Sequence, residues 1–186
     1  MGTVVTATSL DLERGVLGVP GCCYPFLLHR STVFAGYGAI ISVAYGGDPS
    51  IIPQFLTILG TGWDPFDPLT FAIHMQDYPD TPAKQVLLHV AKEDAQVHNQ
   101  ASFILGRATD SVLMTPAVRP VDTLPTQTYP YTGPAAVVEV DFGIPDDTTP
   151  LDPPVDETDT HGWLRKWEPA QDQLVHFLDT GELIDV

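Results

Sequence analysis

Positive charge is what this sequence has least of. Eight lysines and arginines face 24 aspartates and glutamates, and the formal net charge is −16. So few cations cannot neutralise a row of phosphates, which excludes nucleic acid as an expected partner. The same shortage argues against an anionic membrane surface, and the acidic balance reads as a solubilising coat. Cysteine is scarce as well. Cys22 and Cys23 are neighbours, and a bond between neighbours strains a small ring. No disulfide framework is expected. The two read as small, partly buried side chains beside a strand end, with no sequence partner for a metal or redox role.

No apolar run approaches the roughly 20 residues of a membrane span. No basic segment leads into an apolar one, so no signal peptide is expected and the cytoplasm is the default compartment. Met1-Gly2 with Thr6 fits the myristoylation pattern formally, but the flanking residues read as the inside of a folded domain. No histidine or cysteine pair has zinc-finger or metalloprotease spacing, so no metal or other cofactor is expected. The acidic loop Asp146–Asp159, with Asp147, Asp152, Asp156 and Glu157 between its ends, offers hard oxygens of the kind calcium takes. It lacks the EF-hand spacing and central glycine, and a solvated loop is the expectation.

What remains is a chain of 186 residues, 44% hydrophobic, enough for one domain with its own core. Eighteen prolines and 15 glycines imply long loops. Residues 1–10, small and β-branched, look like the middle of a buried helix. Arg14 to Gly21 is a short apolar run with flanking glycines, as expected for a buried parallel strand. Phe34–Tyr45 and Ile51–Leu59 read as helices, and Trp63–Pro68 as a loop. Lys84–Val90 is a second strand, Asn99–Ala108 a helix, Val112–Met114 a short apolar run, and Ala135–Phe142 a third strand. Residues 145–160 read as an exposed loop, and a helix begins near Pro169 and stops at Gly181. This alternation indicates an α/β class with a mostly parallel sheet flanked by helices. About sixty residues separate the first two strands, more than a crossover needs. Residues 22–80 are therefore expected to form a helical cap or lid within a single domain spanning 1–186.

Two residues stand out chemically. Asp94 follows the end of the second strand, the edge at which open α/β sheets bind ligands. A carboxylate there can orient and stabilise an imidazolium. His161 lies in an expected loop beside Gly162 and can shuttle a proton near neutral pH. Either alone is an ordinary surface residue. Acid first and histidine later, across the right elements, is the order found in α/β-hydrolases. Glu93 and His98 are the nearest alternative partners for the pair; His89, within a strand, reads as a satisfied core histidine and His176 as a surface one, and His29 and His74 carry no pattern.

The likeness extends to longer stretches. Arg14-Gly15-Val16-Leu17-Gly18-Val19-Pro20-Gly21 with Tyr24 and Leu27-Leu28-His29-Arg30-Ser31 resembles a group of bacterial α/β-hydrolases with a sizeable cap. Val86-Leu87-Leu88-His89-Val90 with Asp94, Gln96, Val97 and Arg107 is similar, as is His161 with Arg165, Gln171, Phe177, Leu178 and Gly181. The resemblance implies that Asp94 is the acid and His161 the base of a catalytic triad acting on a small-molecule ester or lactone. It departs from the family at the nucleophile. None of Ser9, Ser31, Ser42, Ser50, Ser102 and Ser111 has glycines at −2 and +2, so the G-x-S-x-G elbow is absent. The chain is thus expected to be a C-terminal portion of such a fold, with its elbow missing, replaced or encoded upstream. A sheet cut there would leave an exposed edge near Val4, Val5, Val16 and Leu17, through which a homodimer could form. The alternative function is a catalytically inactive remnant that binds a ligand or a partner.

Overall fold

The computed structural model describes residues 1–48, 50–146 and 160–186. Five strands form one parallel sheet: β1 (Arg14–Gly18), β2 (Gln85–Ala91), β3 (Val112–Thr115), β4 (Thr126–Thr128) and β5 (Ala135–Val140). Their spatial order is β1-β2-β5-β3-β4 and each neighbouring pair is parallel. The central strands explain themselves. Val86, Leu87, Leu88 and Val90 of β2 are each at most 1% exposed, because a parallel strand with helices over both faces needs an unbroken apolar run. The edge strand β4, Thr-Gln-Thr, is exposed throughout.

Strand periodicity sorts the core into two layers. Leu17, Val86, Leu88, Val90 and Val137 pack with Ala7 of α1 (Gly2–Thr8), Ala72 of α5 (Pro68–Ala72), Met75, and Phe103 and Leu105 of α6 (Asn99–Ala108). On the other face, Leu87, Ala91, Ala136 and Val138 pack with Leu164 of α7 (Thr160–Lys166) and with Ala170 and Phe177 of α8 (Glu168–Thr180). Close approach of α1 to β1 depends on Gly15, where a Cβ would fall 2.7 Å from Thr6. Gly181 ends α8 in the left-handed conformation, φ 77°, its amide donating to the Phe177 carbonyl.

The stretch 22–80 divides. α5 joins the first core layer. α2 (Tyr24–His29), α3 (Ala35–Ala44) and α4 (Ile51–Trp63) pack on one another, α4 resting on α2 with Gly60 against Pro25. α3 and α4 bury only Gly38, Leu56 and Gly60, and leave Tyr37, Ile40, Val43 and Ile58 exposed.

Four sequence expectations need correction. α1 is not buried all round: Thr3, Thr6 and Ala7 face inward while Val5 is exposed, since the helix lies on one side of the sheet only. Of the four residues expected at an apolar surface, Val5 is exposed and Leu17 is buried in the core. Residues 126–128 form a strand within what reads as a proline-rich loop, drawn in by the edge of β3. His161 lies in α7 rather than in a loop, because Thr160 and Leu164 anchor that turn in the protein interior. Most of the expected loop at 145–160 falls outside the described residues. Among the described residues, no helix is long and apolar enough to cross a membrane.

His89 bears out its reading as a core residue: it is 4% exposed and its Nε2 lies 2.7 Å from Gln173 Oε1. Burial holds this imidazole below its ordinary value of 6.5. As pH falls through about 6.5, the unfolded chain takes up a proton that the folded chain refuses, so stability drops from there downward. Chemical denaturation at stepped pH should show this acid limb, and His89→Gln should remove the part that begins near neutrality. An unchanged limb in the variant would assign the loss to other groups.

Candidate active site

The carboxyl ends of β2 and β5 lie side by side, with Ala91 paired to Val140. The chain leaving β2 turns at once. Glu93 adopts the left-handed region, φ 56°, and its amide donates to Asn99 Oδ1 at 2.8 Å. Asp94 follows, 2% exposed. Its Oδ1 accepts from the Gln96 and Val97 amides at 2.8 and 2.9 Å, a local turn of the kind aspartate favours. Its other oxygen, Oδ2, lies 2.8 Å from His161 Nδ1. One oxygen fixes the loop and the other holds the ring.

α7 presents His161 from the opposite side. Thr160, fully buried, donates from Oγ1 to the Glu93 carbonyl at 3.2 Å, which ties the helix to the residue preceding Asp94. With Nδ1 donating to a carboxylate, the imidazole carries its lone pair on Nε2. Arg165, one helical turn on, places Nη2 2.9 Å from that atom. Among the described residues, His161 therefore bonds Asp94 and Arg165, and neither is a nucleophile. Three of the six serines are engaged elsewhere. Ser102 Oγ donates to the Pro20 carbonyl, Ser111 Oγ meets Thr109 Oγ1, and Ser9 Oγ accepts the Asp11 and Leu12 amides.

Around the pair runs a polar scaffold that sequence reasoning did not assign. Arg119 Nη2 reaches Glu139 Oε1 at 2.7 Å and Asn99 Oδ1 at 2.9 Å, and Nη1 reaches Glu93 Oε1 at 2.9 Å. Arg119 Nε lies 3.2 Å from Glu139 Oε2, so the guanidinium grips that carboxylate with two nitrogens. Asn99 in turn donates to the Ala91 carbonyl. Burial pushes the Glu139 carboxyl up, and Arg119 offsets only part of that rise. The signal was legible in one place: an acid inside Val137-Val138-Glu139-Val140 requires a buried cation. Nothing local points to Arg119, twenty residues away.

Glu93 and His98, the alternative partners nearest to Asp94, are engaged in other contacts. The Glu93 carboxylate belongs to Arg119, and His98 Nδ1 accepts the Gln100 amide at the start of α6. In the acidic loop, Asp146 bonds Lys92 at 2.7 Å, with Asp141 on the same ammonium at 3.0 Å. Hydrogen bonds to Asp146 and Asp141 push the Lys92 ammonium up, and both carboxyls are held below their ordinary range. Asp147, Asp152, Asp156, Glu157 and Asp159 lie outside the described residues. Among the described residues, no cluster of three or more histidines, cysteines or acids is arranged to hold a metal ion. Compared with known protein families, curated proteins and solved structures, the chain matches none.

Proposed function

We propose that Asp94 and His161 are the acid and the general base of an α/β-hydrolase-type site that cleaves carboxylic esters or lactones. The observation that carries this reading is the 2.8 Å contact between Asp94 Oδ2 and His161 Nδ1 at the carboxyl edge of a parallel sheet. Asp94 fixes the tautomer, and His161 Nε2 takes the proton from the attacking hydroxyl as the tetrahedral intermediate forms. The same Nε2 then returns that proton to the leaving alkoxide. The attacking oxygen is that of water or of a serine set in an elbow this sequence does not contain. For either to approach, Arg165 has to leave Nε2.

The occupied Nε2 favours one second reading, a non-catalytic domain that binds a ligand or partner with its acid–base pair locked by Arg165. Turnover of a short p-nitrophenyl ester separates the two. Hydrolysis is expected to be slow, because the amide after an elbow nucleophile is one oxyanion donor, this sequence has no such elbow, and losing one donor costs about 10²–10³ in rate. Serine-directed phosphonates should label the chain poorly. Stoichiometric labelling of one of its six serines would reveal a nucleophile in this sequence. No turnover of any simple ester above the buffer rate would leave the binding reading standing.

A further inference from the structure

We propose that Cys22 and Cys23 form a vicinal-dithiol site that chelates a trivalent thiophilic centre of the arsenical class through both sulfurs. The site is independent of the Asp94–His161 pair.

Neighbouring side chains of an extended chain point to opposite sides. Here the backbone turns left-handed at Cys23, φ 59° and ψ 64°, and the two sulfurs lie 3.6 Å apart. The turn is held from a second element. Asp67, itself 5% exposed, accepts the Cys23 amide on Oδ1 at 2.9 Å and the Tyr24 amide on Oδ2 at 2.7 Å. Cys22 is wholly buried, with Sγ 3.4 Å from the Ala101 carbonyl, and Cys23 is half-buried.

The separation selects the chemistry. A disulfide needs its sulfurs at about 2.05 Å, in a small ring that would have to accommodate a planar peptide. A bridging atom relaxes that demand. For a pyramidal trivalent centre bonded to sulfur at about 2.3 Å, as thiolates bond zinc, with an angle near about 100° between the two bonds, the sulfurs stand about 3.5 Å apart, close to the 3.6 Å found here. The pair already has that bite. Three or four protein ligands would be needed for a zinc-type ion, and among the described residues no such set is assembled. A trivalent arsenical with one organic substituent needs two sulfurs only.

The order of attack follows from the two thiols. The hydrogen bond from Cys22 holds the Cys23 thiol below its ordinary range, against burial and Asp67. The same contact pushes Cys22 up. The more exposed, more readily ionised Cys23 attacks first, and Cys22 then closes the chelate within the same molecule. With a hydrated arsonous group, two As–O bonds break and two As–S bonds form. The two thiol protons leave with the two oxygens as water, and nothing is oxidised or reduced.

The test treats the full chain with phenylarsine oxide. Intact mass should show one arsenic per chain, and both thiols should vanish from thiol titration. The adduct should survive excess mercaptoethanol and be removed by ethanedithiol. Cys22→Ser and Cys23→Ser should each lower retention in mercaptoethanol roughly a hundredfold, the lower end of the gain from a second, intramolecular contact. Should either variant fail to fold, stoichiometry and thiol loss in the unsubstituted chain decide alone. No adduct, one stripped by mercaptoethanol, or one that leaves a titratable thiol would overturn the proposal. Equal retention by the urea-unfolded chain would overturn the role given to the turn at Cys23.

Discussion

Replacing His161 with alanine is expected to lower kcat/KM for ester hydrolysis about 10²–10⁴-fold, the usual contribution of a positioned general base. The requirement holds whether the attacking oxygen is serine or water, since either must lose a proton as it bonds to carbon. Asp94→Asn should cost at least as much, by a different route. Asp94 Oδ1 accepts two backbone amides, and an asparagine keeps those bonds only by placing its carbonyl oxygen there. Its NH₂ then faces His161 Nδ1, which must become an acceptor. The ring proton moves to Nε2, the atom that has to receive a proton. In a serine-protease triad the same exchange costs about 10⁴ in kcat. The variant also turns Nε2–H toward the Arg165 guanidinium, two donors where one bond stood. A low-field imidazole N–H resonance in the parent protein, lost in Asp94→Asn while the fold persists, would report the tautomer without any substrate. Full activity in His161→Ala would remove this residue from the mechanism.

The pair was legible in the sequence because each member has a local marker. Asp94 follows an apolar run that can only be a buried strand, and His161 precedes a helix whose stop, Gly181, is plain. The class of fold was legible for the same reason, since β2 and β5 are nearly continuous apolar runs. What holds the pair was not legible. Thr160 bonding the Glu93 carbonyl and Arg119 joining Glu93, Asn99 and Glu139 are contacts across 20 to 67 residues, and no periodicity encodes them. His161 was expected in a loop because Gly162 weakens the helical pattern; tertiary anchoring by Thr160 and Leu164 overrides that propensity. β4 was missed because Thr-Gln-Thr has no apolar face, and its pairing comes from the edge of β3 alone.

Arg119→Met should be the most destabilising single change near the site, by about 3–5 kcal/mol, the cost of stranding one partner of a buried ion pair. The Glu139 side chain is 1% exposed and its carboxylate has two guanidinium nitrogens against it. Without Arg119 the carboxylate keeps only the weaker pull of Lys92 against its burial, so its carboxyl rises further. An acid raised in the folded state favours folding when protonated, and its stability is lost as pH climbs through the raised value. The deficit of the variant should therefore shrink on acidification. Adding Glu139→Gln to Arg119→Met should recover most of the loss at neutral pH, because the stranded charge is gone. Arg119→Lys should fall between, keeping charge but not the fork that spans Glu93, Asn99 and Glu139. The site should feel the change even where the fold survives. Glu93 sits in a left-handed conformation beside Asp94, fixed by Arg119 on its side chain, Asn99 on its amide and Thr160 on its carbonyl. Releasing the first of these frees Asp94 to drift from His161, and near such a site a 1 Å displacement costs on the order of 10² in rate. Urea denaturation of the variants over a range of pH checks the energies. A neutral-pH loss under about 1 kcal/mol would place Arg119 among ordinary surface ion pairs and refute the scaffold role given to it.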